Sequence, residues 1–301
     1  MSEKLPPVPA PPATIAHLLL AACAVIWGTT FVATKVLTAR FDAVEIVGLR
    51  FAIGLPLLYA LVRWRGIPLA FEPRDRGRLA AGAAILLYHF LVQAHALRTA
   101  TATHTAWIIT VSPLVIAALS FALLGERFDR WATGGILCAT IGVVLLISEG
   151  RPTALVRPSS VGDWLALSTT ASWALYTIVT RDLSRRVSPL AVTLVVFVPL
   201  LVAGLVRLAL HTDLRALASL PAPVVASILF LGTLGTLAQW FWQIGVARIG
   251  AARAGVYLYL EPASTTLLGV SLLGERYGAW AIAGSALILT GVIIAQRRAA
   301  S

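Results

Sequence analysis

The chain has 301 residues, 58% of them apolar and only 12% charged, with a mean hydropathy of +0.86. Soluble domains average about 45–50% apolar and about 25% charged residues, so this composition argues against a soluble enzyme and excludes a disordered chain. The formal charge of +11, from 24 Lys and Arg against 13 Asp and Glu, falls mostly between apolar runs. That placement suits orientation in a membrane rather than nucleic-acid binding.

Residues 1–13 form a proline-rich tail. Leu20-Ala21-Ala22-Cys23 has the form of a lipoprotein cleavage box, but the apolar run continues past it to Val36. A signal h-region is about 7–15 residues, so 14–37 is predicted instead as a first membrane span. Further apolar stretches follow at 43–62, 78–97, 102–123, 131–148, 161–181, 190–210, 222–247, 253–273 and 279–296. The expected fold is therefore an all-α integral membrane protein of ten transmembrane helices. Cys23 and Cys138 both lie inside apolar runs and read as buried hydrophobes, with neither disulfide nor metal spacing.

Internal repetition organises these spans. Pro113, ten residues and Leu124-Gly125-Glu126-Arg127 recur as Pro262, ten residues and Leu273-Gly274-Glu275-Arg276. The same offset of 149 pairs Trp131 with Trp280, Gly135 with Gly284 and Gly142 with Gly291. An offset of 146 pairs Trp27 with Trp173 and Thr34-Lys35 with Thr180-Arg181. Residues 14–148 and 161–296 thus read as a five-span unit written twice, joined by a linker over 149–160 and ending in a short tail over 297–301. Because five is odd, the second copy is expected to insert upside down, an architecture used by many secondary transporters around a midplane site. With the N-terminus inside, fifteen basic residues are cytoplasmic and eight are outside, which places both termini in the cytoplasm.

At these residues the sequence resembles the drug/metabolite transporter superfamily, of the EamA-type ten-span kind. The resemblance rests on Trp27-Gly28-Thr29-Thr30-Phe31, Leu49-Arg50-Phe51, Ser112-Pro113 with Leu124-Gly125-Glu126-Arg127, and Ser172-Trp173-Ala174-Leu175-Tyr176. It rests most on Tyr259-Leu260-Glu261-Pro262 through Leu273-Gly274-Glu275-Arg276. It implies a gradient-linked exporter of small metabolites in a bacterial inner membrane. Within the family, Trp27, Tyr88-His89 and Trp173 are similar to the aromatic amino-acid exporters of the YddG kind. Thr101 to Trp107 depart from the small apolar run usual in the first repeat.

Polar groups at membrane depth need a partner or a cavity. Counted along their spans, Trp27, His89, Pro113, Trp173, Gln239 and Glu261 all fall near a midplane. Tyr88, His89 and Gln93 make one polar stripe, and Gln239 with Gln243 another beside Trp240 and Trp242. These stripes either line a substrate cavity or hydrogen-bond between helices. Trp107 and Tyr257 flank the same level as further binding or gating candidates. Glu261 is the only carboxylate deep in a span and calls for a cation such as Arg50, a helix N-terminus or a proton. Coupling or gating candidates are His89, Glu261, Pro113 and Pro262, the prolines because each should bend its helix. Glu126 and Glu275, at span ends beside arginine, read as end-of-helix pairs.

The only lysines, Lys4 and Lys35, follow no glycine-rich loop, and neither HExxH nor Gly-x-Ser-x-Gly occurs. No ATPase, metal or cofactor chemistry is expected. The expected activity is secondary export of neutral or aromatic amino acids, with membrane lipid and a small-molecule substrate as partners, no nucleic acid, and a monomer admissible. The alternatives are export of lipophilic cationic drugs against Glu261, a passive channel, or an intramembrane enzyme.

Overall fold

A computed structural model describes residues 12–99, 105, 108–126, 129–148, 161–211, 217, 219–265 and 279–295. The described residues are helices and their connections, without a strand. They form α1 (Ala13–Thr38), α2 (Ala43–Trp64), a 3-10 turn (Pro73–Asp75) leading into α3 (Arg76–Thr99), α4 (Ser112–Leu124), α5 (Arg130–Ser148), α6 (Val161–Arg186) and α7 (Pro189–His211). Then come α8 (Ala222–Gly232), α9 (Leu234–Ile249), the short α10 (Ala251–Gly255), a 3-10 segment (Val256–Tyr259) continuing as helix to residue 265, and α11 (Ala279–Ala295). Five stretches are long and apolar enough to cross a membrane: Ala13–Thr38, Ala43–Trp64, Pro73–Thr99, Pro189–His211 and Ala222–Ile249. The fourth and ninth predicted spans fall partly, and the predicted tails and linker mostly, outside the described residues.

Local chemistry sets several helix ends. Asp42 caps α2 by accepting from Val44 and Glu45 N–H at 2.9 Å each, while Glu45 accepts from Asp42 N–H at 2.8 Å, closing a capping box. Gly125 ends α4 at φ 64°, in the left-handed region that favours glycine at this position. The stretch expected as one helix over 222–247 is instead two. The backbone breaks at Thr233 (φ −95°, ψ −83°), in a Gly-Thr-Leu-Gly run where α2 crosses closely. A Cβ on Gly54 of α2 would lie 2.3 Å from Thr236 Oγ1. Pro113 also differs from expectation. It does not bend the middle of a helix; it sits in the first turn of α4, where a missing N–H leaves no bond unmade. Pro262 likewise lies in the first turn after the 3-10 segment, so both prolines start helices where a less regular stretch ends.

The strongest packing pairs are α5 with α11, α3 with α6, α2 with α7, and α1 with α9. With α1 matched to α6, α3 to α8–α9 and α5 to α11 by the repeat, exchanging the halves turns α3–α6 into α9–α1. The same exchange leaves α5–α11 and α2–α7 as they are. Matching glycines make two of these crossings close. A Cβ on Gly135 would lie 2.5 Å from Gly291 O, and one on Gly142 would lie 2.7 Å from Gly284 O, so α5 and α11 run antiparallel. Gly48 and Gly204 meet at the α2–α7 crossing, where either Cβ would fall within 3 Å of the other backbone. One end of the bundle, where α1 begins and α2, α6 and α9 finish, carries Arg63, Arg65, Arg185, Arg186 and Arg248; it is called the basic end below.

Candidate functional site

At the centre three indoles touch. Trp27 of α1 and Trp173 of α6 meet edge to face at 4.9 Å between centroids, and Trp242 of α9 lies 5.5 Å from each. Such pairs contribute about 0.5–1.5 kcal/mol beyond their burial. Gly28 lets this cluster form. The 260–265 helix lies so close to α1 that a Cβ on Gly28 would be 2.6 Å from Glu261 O, and Thr265 Oγ1 donates to Gly28 O at 2.9 Å.

Beside the indoles, on the side away from the basic end, is a cavity lined by Trp27, Arg50, His89, Trp173, Gln239 and Glu261, with Thr30, Gln93 and Ser112 among its other walls. Its volume of about 40 Å³ accommodates a few waters at roughly 10–15 Å³ each and no amino acid, so a substrate here requires the walls to part.

Several buried polar atoms around this cavity lack a hydrogen bond of good geometry: Arg50 Nε, Ser112 Oγ, Trp173 Nε1 and both amide atoms of Gln239. Each such group costs about 1–3 kcal/mol, and native structures carry few of them. Arg50 is buried in α2, donates from its Nη2 to Gly235 O at 2.9 Å, and lies over the Phe90 ring at 4.5 Å. Glu261 is also buried, but among the described residues no ion pair joins it to Arg50. One cavity therefore contains the Arg50 guanidinium and the Glu261 carboxyl group without an ion pair between them.

His89 faces the same space from α3. Its Nδ1 lies 3.2 Å from Thr169 O and 3.1 Å from Ser172 Oγ, and that hydroxyl already donates to Thr169 O at 2.9 Å. Both neighbours accept, which assigns the proton to Nδ1 and leaves Nε2 as the acceptor in the neutral ring.

Comparison with known proteins decides the family. The EamA-like transporter family matches this chain twice, over residues 14–148 and 160–296. The chain belongs to the EamA-like transporter family. An "uncharacterized transporter" of Archaeoglobus fulgidus is 28% identical, over 92% of this chain and 96% of its own length. A "probable amino-acid metabolite efflux pump" of Salmonella typhimurium is 25% identical, over 90% of this chain and 91% of its own. One crystal structure has the same fold, with a TM-score of 0.76 and 23% identity, covering 94% of this chain and 96% of that one. This is a transporter family, not a family of enzymes.

In this EamA-like transporter the Leu-Gly-Glu segment at the end of α4 ties that helix to α6 and α10 at the basic end. Glu126 pairs with Arg181 at the end of α6 and accepts from Ala252 N–H of α10 at 3.2 Å. Asp129 caps α5 by accepting from Ala132 N–H at 2.7 Å and pairs with Arg253 of α10 at 2.9 Å. The Ala132 N–H bond first, and then Arg253, hold the Asp129 carboxyl below the usual carboxylate range. At the opposite end Asp42 pairs with Arg207 of α7 at 2.6 Å. There burial works against the charge, yet the Glu45 and Val44 N–H bonds and Arg207 still lower the Asp42 pKa.

Trp27, His89, Trp173, Gln239 and Glu261 are the sequence candidates that meet around the cavity. Others stand apart. Gln243 is turned to the basic-end side, where its amide donates to Tyr176 and to Thr180 Oγ1 (3.0 Å) and accepts from Ser184 Oγ (3.0 Å). Tyr88 is 46% exposed on the outer face, with its hydroxyl on Ser168 Oγ at 2.9 Å. Tyr257 bonds His17 at 2.7 Å across to the start of α1. Trp107 lies outside the described residues. Arg50 was named from sequence only as a counter-ion, although an arginine within an apolar span is itself a functional signal.

Proposed function

We propose that the protein is a secondary exporter of neutral amino acids, aromatic ones above all, working by alternating access. Its ten spans form two inverted five-helix units in a bacterial inner membrane, with both termini and the basic end cytoplasmic. The observation that carries this reading is the pair Arg50 and Glu261, buried around one cavity without pairing to each other. A zwitterion supplies what each lacks: its carboxylate goes to the Arg50 guanidinium and its ammonium to Glu261. The Trp27 and Trp173 rings form apolar walls for a flat side chain, while His89 Nε2 and Gln239 offer hydrogen bonds. The name of the Salmonella relative, a probable amino-acid metabolite efflux pump, agrees with an amino-acid cargo. A lipophilic cation, the other drug/metabolite cargo, would meet Arg50 as a buried like charge.

The conformation fits one step of such a cycle. The basic end is tied by Glu126–Arg181 and Asp129–Arg253, and the cavity lies beyond the indole layer. Moving the α3 and α6 arms against α1 and α9 would release Glu126–Arg181, the tie that α6 carries, and open the cavity to the cytoplasm.

Counterflow of labelled phenylalanine in proteoliposomes tests this. Phenylalanine should compete well, and both phenethylamine (no carboxylate) and phenylpropionate (no amine) poorly. Arg50→Gln should reduce transport about tenfold or more and remove the advantage of phenylalanine over phenethylamine, whereas Glu261→Gln should remove its advantage over phenylpropionate. Undiminished phenylalanine counterflow in both variants overturns the assignment.

A further inference from the structure

A second, larger cleft opens at the basic end, between the start of α1, the residues after α2, the α6–α7 corner and the last turns of α9. Its volume is about 670 Å³ against about 40 Å³ for the central cavity. Its walls combine two chemistries. Arg65, Arg185 and Arg248 are exposed around it, and among the described residues no aspartate or glutamate lines it. The remaining wall is largely apolar, with Ile15 and Leu19 of α1 facing Trp240, Phe241 and Ile244 of α9. Arg65 lies over the Trp240 ring at 5.0 Å, at the join between the basic and apolar parts.

Basic residues in the last turn of a helix complement its dipole, which accounts for the arginines but not for a cleft of this size. Nor does a soluble anion account for the apolar wall. That wall continues onto an apolar outer flank, where Leu18 is 65% and Ile15 45% exposed. Basic pockets between membrane helices bind lipid headgroups, and a phospholipid combines a phosphate with acyl chains in one molecule.

We propose that this cleft binds an anionic phospholipid, with the phosphate against Arg65, Arg185 and Arg248 and one acyl chain along Leu19 and Phe241. The site is separate from the central cavity and does not depend on which substrate the transporter carries.

Thermal unfolding of the full-length protein in detergent tests the site with three additives: dioctanoyl phosphatidylglycerol, dioctanoyl phosphatidylcholine and glycerol 3-phosphate. Phosphatidylglycerol should raise the Tm in proportion to the logarithm of its concentration, while the other two leave it unchanged. Arg65→Gln with Arg185→Gln should abolish that rise at an unaltered starting Tm. An equal rise with phosphatidylcholine, or persistence in the double variant, overturns the proposal. A rise with glycerol 3-phosphate alone also overturns it and assigns the cleft to a soluble anion. Should the double variant fail to fold, brominated lipids decide the matter in the native protein. Brominated phosphatidylglycerol should quench more fluorescence than the phosphatidylcholine analogue, and Trp240→Phe should remove the difference. Equal quenching by the two lipids counts against the site.

Discussion

Gly28 shows how one side-chain atom decides whether the central cluster can form. A Cβ there would stand 2.0 Å from Ser264 Oγ and 2.6 Å from Glu261 O. The hydroxyl can rotate away, but the carbonyl belongs to the helix that carries Glu261 into the cavity. Gly28→Ala should therefore destabilise the protein by about 2 kcal/mol, the usual scale of overpacking. Removing the hydroxyl as well, in Gly28→Ala with Ser264→Ala, should recover only a minor part of the loss. Thermal melts of both variants check this; full recovery in the double variant would mean that the backbone does yield. His89 is constrained in a different way. Its Nδ1–H is committed to Thr169 and Ser172 on α6, so the ring orientation, and the Nε2 lone pair with it, is set by α3–α6 packing.

At the scale of elements, the turn between α4 and α5 is a joint. Gly125 stops one helix, Asp129 starts the next, and the carboxylates of Glu126 and Asp129 both reach α10. Because Asp129 has a lowered pKa, it stabilises the fold fully above the unfolded aspartate value of about 3.9, and the contribution is lost as pH falls through the lower folded value. Asparagine preserves the capping oxygen and removes the charge. Asp129→Asn should thus lower the Tm at pH 7 and show a shallower fall than the native protein between about pH 5 and pH 3. Parallel melting curves across that range would remove the carboxylate from the joint. The joint's capping glycine and its acid were readable from the repeated Leu-Gly-Glu-Arg alone. Its partners Arg181, Ala252 and Arg253 were not, since pairing across 55 to 126 residues follows from packing. The break at Thr233 was equally hidden. Hydropathy runs straight through 222–247, and only the close approach of Gly54 shows why the helix divides there.

At the scale of the whole molecule, the strongest packing pairs among the described helices map onto one another when the two EamA-like halves are exchanged. The repeat behind this is visible in sequence because the glycines of α5 and α11 recur at a fixed offset. Which midplane residues share a cavity is not visible, because helix rotation decides it. Gln239 and Gln243 are one turn apart, yet Gln239 lines the cavity and Gln243 does not, its amide being taken up by Tyr176, Thr180 and Ser184. That network, the indole layer and the Glu126–Arg181 pair together close the basic end. Cys23 is a native reporter of the closure. It lies one turn from Trp27 toward the basic end, is fully buried, and donates to Ala238 O at 3.1 Å. In a Cys138→Ser background, Cys23 should react slowly with a maleimide. Glu126→Gln removes the nearer of two carboxylates on Arg181, which is only 13% exposed, and leaves it the longer contact to Asp182 at 3.8 Å, and so favours conformations in which this end is hydrated. Cys23 labelling should then accelerate about tenfold, equivalent to about 1.4 kcal/mol in the opening equilibrium. Arg207→Gln breaks the pair with Asp42 at the other end and should leave the labelling rate unchanged. An equal acceleration by both variants would indicate general loosening rather than a gate at the basic end.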